Sequence, residues 1–283
     1  VSKIDKFNNA TGNLGDYYAG QTIGEIWGFI SNGLYQTQEE VDRDQALAEA
    51  AGQTHFNNLM QLSESYVNYP GDIKFEDLNG NGYLDKGSNT VSDPGDRRII
   101  GNSEPRYVYG FGFDLEWNGI FLNAYFQGIG KRDWYPSNES SMFWGQYNRP
   151  YNQVPTWHLG NYWTEDNPDA YLPRYTGYYG AFYKGTNNAN SRYLQSAAYC
   201  RLKNLQVGYS FPKELIGRIK LQKLSIFFSG ENLFTWSPLY KYSRDIDVTA
   251  NILDSDTTLA SGKGDGYNYP TMRSFSIGLN ITF

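Results

Sequence analysis

The densest run of oxygen-bearing side chains in this 283-residue sequence is Asp77-Leu78-Asn79-Gly80-Asn81-Gly82-Tyr83-Leu84-Asp85. Oxygen ligands at alternate positions, a main-chain carbonyl at Tyr83 and a glycine at the sharp bend suit a hard cation, and the spacing matches the first half of a calcium loop. The bidentate Glu that closes such a loop is replaced here by Ser88, so Asp93 or Asp96 would have to complete the site. Asp77, Asn79, Asn81, Tyr83, Asp85 and Asp96 therefore form a candidate Ca2+ set. Against it stands a plain Asn-Gly turn with solvated acids.

Other chemistry is sparse. His55 and His158 are the only histidines and neither has a metal-ligand spacing. Cys200, the single cysteine, lies inside an alternating segment where a small packed side chain is expected. There is no nucleophile elbow and no phosphate-cradling glycine loop, and pairs of carboxylates are too common to single out a hydrolase. The chain reads as a non-enzyme. Aromatic side chains are the other conspicuous group, crowded into residues 131–197. Such rings stack on sugar faces, anchor partner proteins or pack on one another. All three alternatives stay open, with Trp134, Tyr135, Trp144, Trp157, Trp163 and Tyr178 as candidate contacts for a ligand or partner.

The elements that must position these residues are strands. Aromatics make up 17% of the chain and Gly numbers 30, yet the mean hydropathy is −0.61. That combination suits strands that are apolar on one face only, including those of a membrane barrel, where the average hides the lipid-facing half. No stretch approaches the roughly 18 consecutive apolar residues of a transmembrane helix. The net charge of −6, with scattered Lys and Arg, argues against a nucleic-acid surface.

A period of two is clearest at the C-terminus, where Phe275, Ile277, Leu279, Ile281 and Phe283 alternate with small or polar residues. Residues 107–117 place Tyr107, Tyr109, Phe111, Phe113, Leu115 and Trp117 on one face. Asn118-Gly119 supplies a two-residue hairpin turn, and the return strand over 120–130 carries Ile120, Leu122, Ala124 and Phe126. Residues 198–211 alternate Leu205, Val207, Tyr209 and Phe211 with Asn204, Gln206, Gly208 and Ser210. Residues 222–234 follow less cleanly, and 20–33 is a weaker sixth segment. These lengths match the ~9–11 residues of a tilted membrane strand. Thr37 and Glu40 form a capping box for a helix over 41–51, ended by Gly52.

The links between strands alternate in length. Those at 118–119 and 212–221 are short, and those at 34–106, 131–197 and 235–270 are long. Outer-membrane barrels keep short periplasmic turns and long extracellular loops. Counted back from a C-terminus on the periplasmic side, every short link falls inside and every long link outside. The spacing thus predicts an all-β, antiparallel transmembrane β-barrel segment with long extracellular loops. Asp114, Glu116, Lys203 and Glu231 are the charged groups expected to line its interior. The opening Val1-Ser2-Lys3 reads as a point inside a longer protein.

Three stretches carry a family resemblance. Gly71-Asp72-Ile73-Lys74-Phe75, the 77–85 run and Asp96-Arg97-Arg98-Ile99-Ile100-Gly101 form the first. Pro105-Arg106-Tyr107-Val108-Tyr109-Gly110-Phe111 with Tyr125-Phe126-Gln127-Gly128 forms the second. The third is Tyr199-Cys200-Arg201-Leu202-Lys203-Asn204-Leu205 followed by Ser229-Gly230-Glu231-Asn232-Leu233-Phe234, Tyr269-Pro270 and the closing strand. In this order the chain, from about Gly20 onward, resembles the C-terminal barrel portion of SusC/RagA-type TonB-dependent transporters. The resemblance implies a roughly 22-stranded barrel whose N-terminal plug and earlier strands lie outside residues 1–283. It further implies import of oligosaccharides or peptides across the outer membrane of a Gram-negative bacterium, energised through TonB. A SusD-like lipoprotein would be the partner. The competing reading from the residues is a soluble all-β glycan-binding module of a secreted protein.

Overall fold

The computed structural model describes residues 2–57, 67–136, 140–176, 188–242, 244, 246–248 and 271–283. In chain order the strands are β1 (Glu25–Phe29), β2 (Ser31–Leu34), β3 (Ile73–Phe75), β4 (Arg97–Asn102), β5 (Arg106–Trp117), β6 (Ile120–Lys131), β7 (Asp133–Trp134), β8 (Tyr162–Trp163), β9 (Leu172–Arg174), β10 (Gln195–Ser196), β11 (Tyr199–Ser210), β12 (Lys223–Trp236) and β13 (Ser274–Thr282). The helices are α1 (Gln38–Ala50), α2 (Ser141–Trp144) and α3 (Lys213–Ile216). None of the described helices is long and apolar enough to cross a membrane. The chain divides into two compact units. One draws on Val1–Glu104 and Asp133–Gln195, the other on Pro105–Arg132, Ser196–Thr249 and Tyr269–Phe283.

The second unit is built on one five-stranded antiparallel sheet, ordered β13-β12-β11-β6-β5. Its register aligns the apolar residues of every strand. Phe111, Phe113, Leu115 and Trp117 pair with Phe126, Ala124, Leu122 and Ile120. Leu205, Val207 and Tyr209 continue that row from β6 into β11. Val207 and Tyr209 then meet Phe228 and Ile226, which meet Ile277 and Leu279. One face of the sheet is therefore apolar from edge to edge and exposed, Ile277 at 79% and Leu115 at 60%. The other face carries Asp114, Asn123, Asn204, Gln206, Ser229, Glu231 and Ser276 at the alternating positions. Rings crowd both ends of the apolar face. Tyr107, Tyr109, Phe234 and Trp236 lie at the end of the long links, and Trp117 and Tyr209 at the end of the short turns.

The hairpin turn is as the sequence predicts, with φ of 50° at Asn118 and 83° at Gly119. Glycines on the polar face have a different reason. Phe227 lies across its cross-strand partner Gly278, and Phe121 across Gly208, so a Cβ at either glycine would overlap the ring.

Among the described residues the first unit has short strands only. Residues 20–33, expected as a sixth membrane strand, instead form β1 and β2, of 5 and 4 residues. A register shift at Ile26/Trp27 interrupts the pairing of β1 with β4, and β2 turns to β3. Neither reaches the ~9 residues a bilayer crossing needs. Thr37 caps α1, its side chain accepting from the Glu40 amide, and Gly52 follows the helix at φ 77°.

Gly278→Val should force the Phe227 ring aside and weaken the β12–β13 pairing by roughly 1–3 kcal/mol, the usual cost of overpacking. Thermal unfolding of the full-length protein reads this, and adding Phe227→Ala should recover most of the loss. A Gly278→Val protein as stable as the parent would show that the ring does not need the space.

Candidate functional site

The 77–96 loop is closed by its own amides. Asp77 accepts from the Gly80 amide at 2.6 Å and from the Gly82 amide at 2.7 Å, one through each carboxylate oxygen. Asn79 accepts from the Asn81 amide and Asn81 from the Tyr83 amide, while the Asn81 side chain donates to Asp85 at 2.6 Å. Gly82, at φ 91°, makes the bend. Asp96 is fully buried and draws the turn together, accepting from the amides of Leu78, Asn79 and Asp85 at 2.8, 3.2 and 2.9 Å. Burial outweighs those bonds and holds its carboxyl above the usual range. Asp93 turns instead to Ser88, whose amide and hydroxyl lower it. Among the described residues no three His, Cys, Asp or Glu side chains are grouped to hold a metal. A cation here would depend on the Asn carbonyls and the main chain as well.

The aromatic stretch makes its own core. Trp134, Phe143, Trp144, Tyr147 and Tyr193 are buried almost completely. Phe143 meets Trp144 edge-to-face at 4.8 Å and lies tilted against Trp157 at 5.1 Å, and Trp144 meets Tyr193 edge-to-face at 5.1 Å. Main-chain carbonyls take the polar tips, Tyr147 donating to Pro173 at 2.7 Å and Trp144 to Pro136 at 3.3 Å. Trp134 and Trp144 are thus packing residues within this chain, which corrects their expectation as surface contacts. Tyr135, Trp157 and Trp163 keep partial exposure. Tyr135 accepts from Asn190 at 2.8 Å, and Trp163 lies over Gly71 and donates to Gln36. Tyr178 falls outside the described residues.

His158 sits inside this core with no exposure. Its Nε2 is 2.8 Å from the Phe143 carbonyl, so that nitrogen carries the proton, and the Trp157, Tyr147 and Tyr175 rings surround it. Burial depresses its pKa to about 4. The ring is a structural donor, in keeping with its lack of ligand spacing.

In the second unit the polar face holds a shallow hollow of about 430 Å³ lined by Asp114, Asn123, Tyr125, Asn204, Gln206 and Glu231, among others. Further along the same face, strict alternation fails. Against β6, Lys203 is an extra residue in β11 between Leu202 and Asn204, and against β12 the register shifts the other way, with Asn232 and Leu233 opposite Lys203. The bulge moves Leu202 to the apolar row, beside Phe126 and Phe234. It turns Arg201 to the polar face, opposite Gln127 and Thr235. Arg201 is 5% exposed and pairs with Asp247 at 3.0 Å and with the Thr235 hydroxyl at 2.8 Å. Sequence reading missed this pair. The trace of the bulge was the change of apolar parity from even at Cys200 and Leu202 to odd at Leu205. Nothing local pointed to Asp247.

No family model matches the chain. TonB-dependent receptor P3 of Formosa agariphila is 27% identical over 270 residues, which take in 93% of this chain and 22% of the receptor. TonB-dependent receptor P26 of the same organism is 25% identical, over 93% of this chain and 23% of its own. The homologues of this chain are TonB-dependent receptors. It spans about a quarter of the length of these curated relatives. The solved RagAB peptide transporter superposes on 100% of the chain and 25% of its own, with a TM-score of 0.54 and 17% identity. The RagAB peptide importer in its closed-closed state gives 0.55 at 16% identity, over 99% of this chain and 25% of its own. At that identity the likeness concerns the fold, which is that of a partial β-barrel. The two-faced sheet of this TonB-dependent receptor relative is its wall.

A neutral buried His158 makes the loop core acid-sensitive. The unfolded imidazole protonates near 6.5, the folded one only near 4, so the unfolded state binds more protons between these values. The contribution is intact above about 6.5 and falls as pH drops through the window, by on the order of 3 kcal/mol in all. Hydrogen-exchange protection factors of residues 140–176, each taken against the intrinsic rate at its pH, should fall from pH 7 to pH 4.5 in the parent and much less in His158→Gln. An equal fall in both would sink this account.

Proposed function

We propose that this chain is the C-terminal barrel portion of a SusC-like, TonB-energised importer in the outer membrane of a Gram-negative bacterium. The observation that carries it is the sheet with one unbroken apolar face and one polar face. A soluble protein buries such a face, whereas a membrane barrel turns it to lipid and lines its interior with the other. Strands of 9–14 residues match a tilted crossing, short turns at 118–119 and 211–222 share one end, and the long links share the other. The short end is the periplasmic one in this reading. Homology to TonB-dependent receptors and fold likeness to RagAB support the same assignment.

The cargo class is an oligosaccharide or peptide, taken up with a SusD-like lipoprotein over the extracellular mouth. Tyr135, Trp157 and Trp163, the partly exposed rings, are the aromatic candidates for cargo or cap. Ca2+ at Asp77, Asn79, Asn81, Tyr83, Asp85 and Asp96 belongs to the same proposal, supported by the convergence of Asp85 and Asp96 on the turn. Limited proteolysis with chelator should then cut residues 71–101 faster. An unchanged pattern rejects calcium and leaves the amide network as the loop's only organiser.

Detergent-dependent extraction from the outer membrane and TonB-dependent uptake test the whole reading. On the sheet, Ile277→Arg should cost about 2–4 kcal/mol at bilayer depth, whereas Ser276→Arg on the opposite face should be tolerated. Equal tolerance of the two substitutions in an insertion assay would argue against a lipid-facing row.

A further inference from the structure

We infer that a basic recess at the long-link end of the sheet is a binding subsite for a carboxylate group of the cargo. The recess, of about 470 Å³, lies where β11 begins, β12 ends and β13 begins. Among the described residues its lining includes Arg201, Lys241, Arg244 and Arg273, against a single carboxylate, Asp247. The chain as a whole carries −6, so four cations around one recess run against its general charge.

The geometry separates the four by role. Arg201 is buried, and its charge is met by Asp247. The other oxygen of Asp247 accepts from the Thr271 amide at 3.0 Å and from the Thr271 hydroxyl. The one acid is therefore engaged by Arg201 and Thr271, and it anchors the floor rather than neutralising the rim. Lys241, Arg244 and Arg273 stand at that rim with exposed side chains. None of them has a carboxylate partner among the described residues. Like charges gathered on one concavity raise the local potential and attract an anion. Guanidinium groups pair with carboxylates through two parallel hydrogen bonds. Tyr240 and Asn232 add neutral polar groups to the lining.

The subsite deepens the importer reading and rests on it for its biological sense. Arg201 and Thr235 share the polar face, so in a barrel the recess opens to the interior, at the end where cargo enters. Arg201 reaches it only because of the Lys203 bulge.

The test uses full-length, detergent-solubilised transporter, with trigalacturonate and tetraglutamate as acidic probes and cellotriose and tetraglutamine as neutral ones. At least one acidic probe should bind, more weakly as ionic strength rises, and the neutral probes should bind less well. Arg244→Gln with Arg273→Gln should weaken that binding by roughly tenfold or more, on the usual strength of charge-assisted bonds. Lys223→Gln, at the opposite end of β12, should leave it unchanged. Preference for trigalacturonate or for tetraglutamate tells a glycan source of the carboxylate from a peptide one. Failure of both acidic probes to bind, or binding indifferent to the double variant, overturns the subsite. Membrane insertion and TonB-dependent uptake are scored separately. A transporter that inserts and imports without the subsite defeats only this inference, whereas a chain that never inserts defeats the importer reading.

Discussion

A sheet that turns its apolar side chains outward must satisfy its amides sideways. In hydrocarbon no water takes their hydrogen bonds, and each unmet group costs several kcal/mol. The ladder from β5 through β6, β11 and β12 to β13 meets that demand strand by strand, and the other features of the second unit follow from it. Register is fixed because a slip of one residue would exchange the apolar row for the polar one. The Asn118–Gly119 turn sets the β5–β6 register, and the rings over Gly208 and Gly278 fill the places where the polar face would otherwise be hollow. Among the described residues β5 and β13 each pair along one edge only. The proposed barrel supplies strands for both free edges from the rest of the protein.

The first unit obeys a different constraint. Its strands are short, and its stability comes from aromatic burial and from side chains that close loops on themselves. Asp96 gathers three amides at the 77–96 turn, and Arg174 meets the buried Asp72 at 2.6 Å beneath Trp163 and Gly71. Long loops persist in one shape only if they carry such cores of their own. Rings that from sequence could equally have met a sugar or a partner are largely spent on this.

The five strands of the sheet were legible because alternation is a local property. The segments read as 107–117, 120–130, 198–211, 222–234 and 273–283 correspond to β5, β6, β11, β12 and β13 within two residues at each end. Residues 20–33 were misread because apolar content there resembles a crossing strand, while the break between β1 and β2 depends on partners far along the chain. Burial of Trp134 and Trp144 was illegible for the same reason, since no spacing rule says which rings meet. The Arg201–Asp247 pair joins residues brought together only by the sheet.

The bulge at Lys203 gives β11 two reading frames. Toward its C-terminus the odd positions are apolar, and toward its N-terminus the even ones are. Such a strand cannot lose a residue on either side of the bulge without mistranslating half of itself. Regular alternation with Lys203 retained would rotate Arg201 into the apolar row and bring Leu202 to the polar side, whereas removal of Lys203 itself would merge the two frames with both residues on their present faces. A chain that looks tolerant of change at a half-buried lysine is, at that point, punctuated by it.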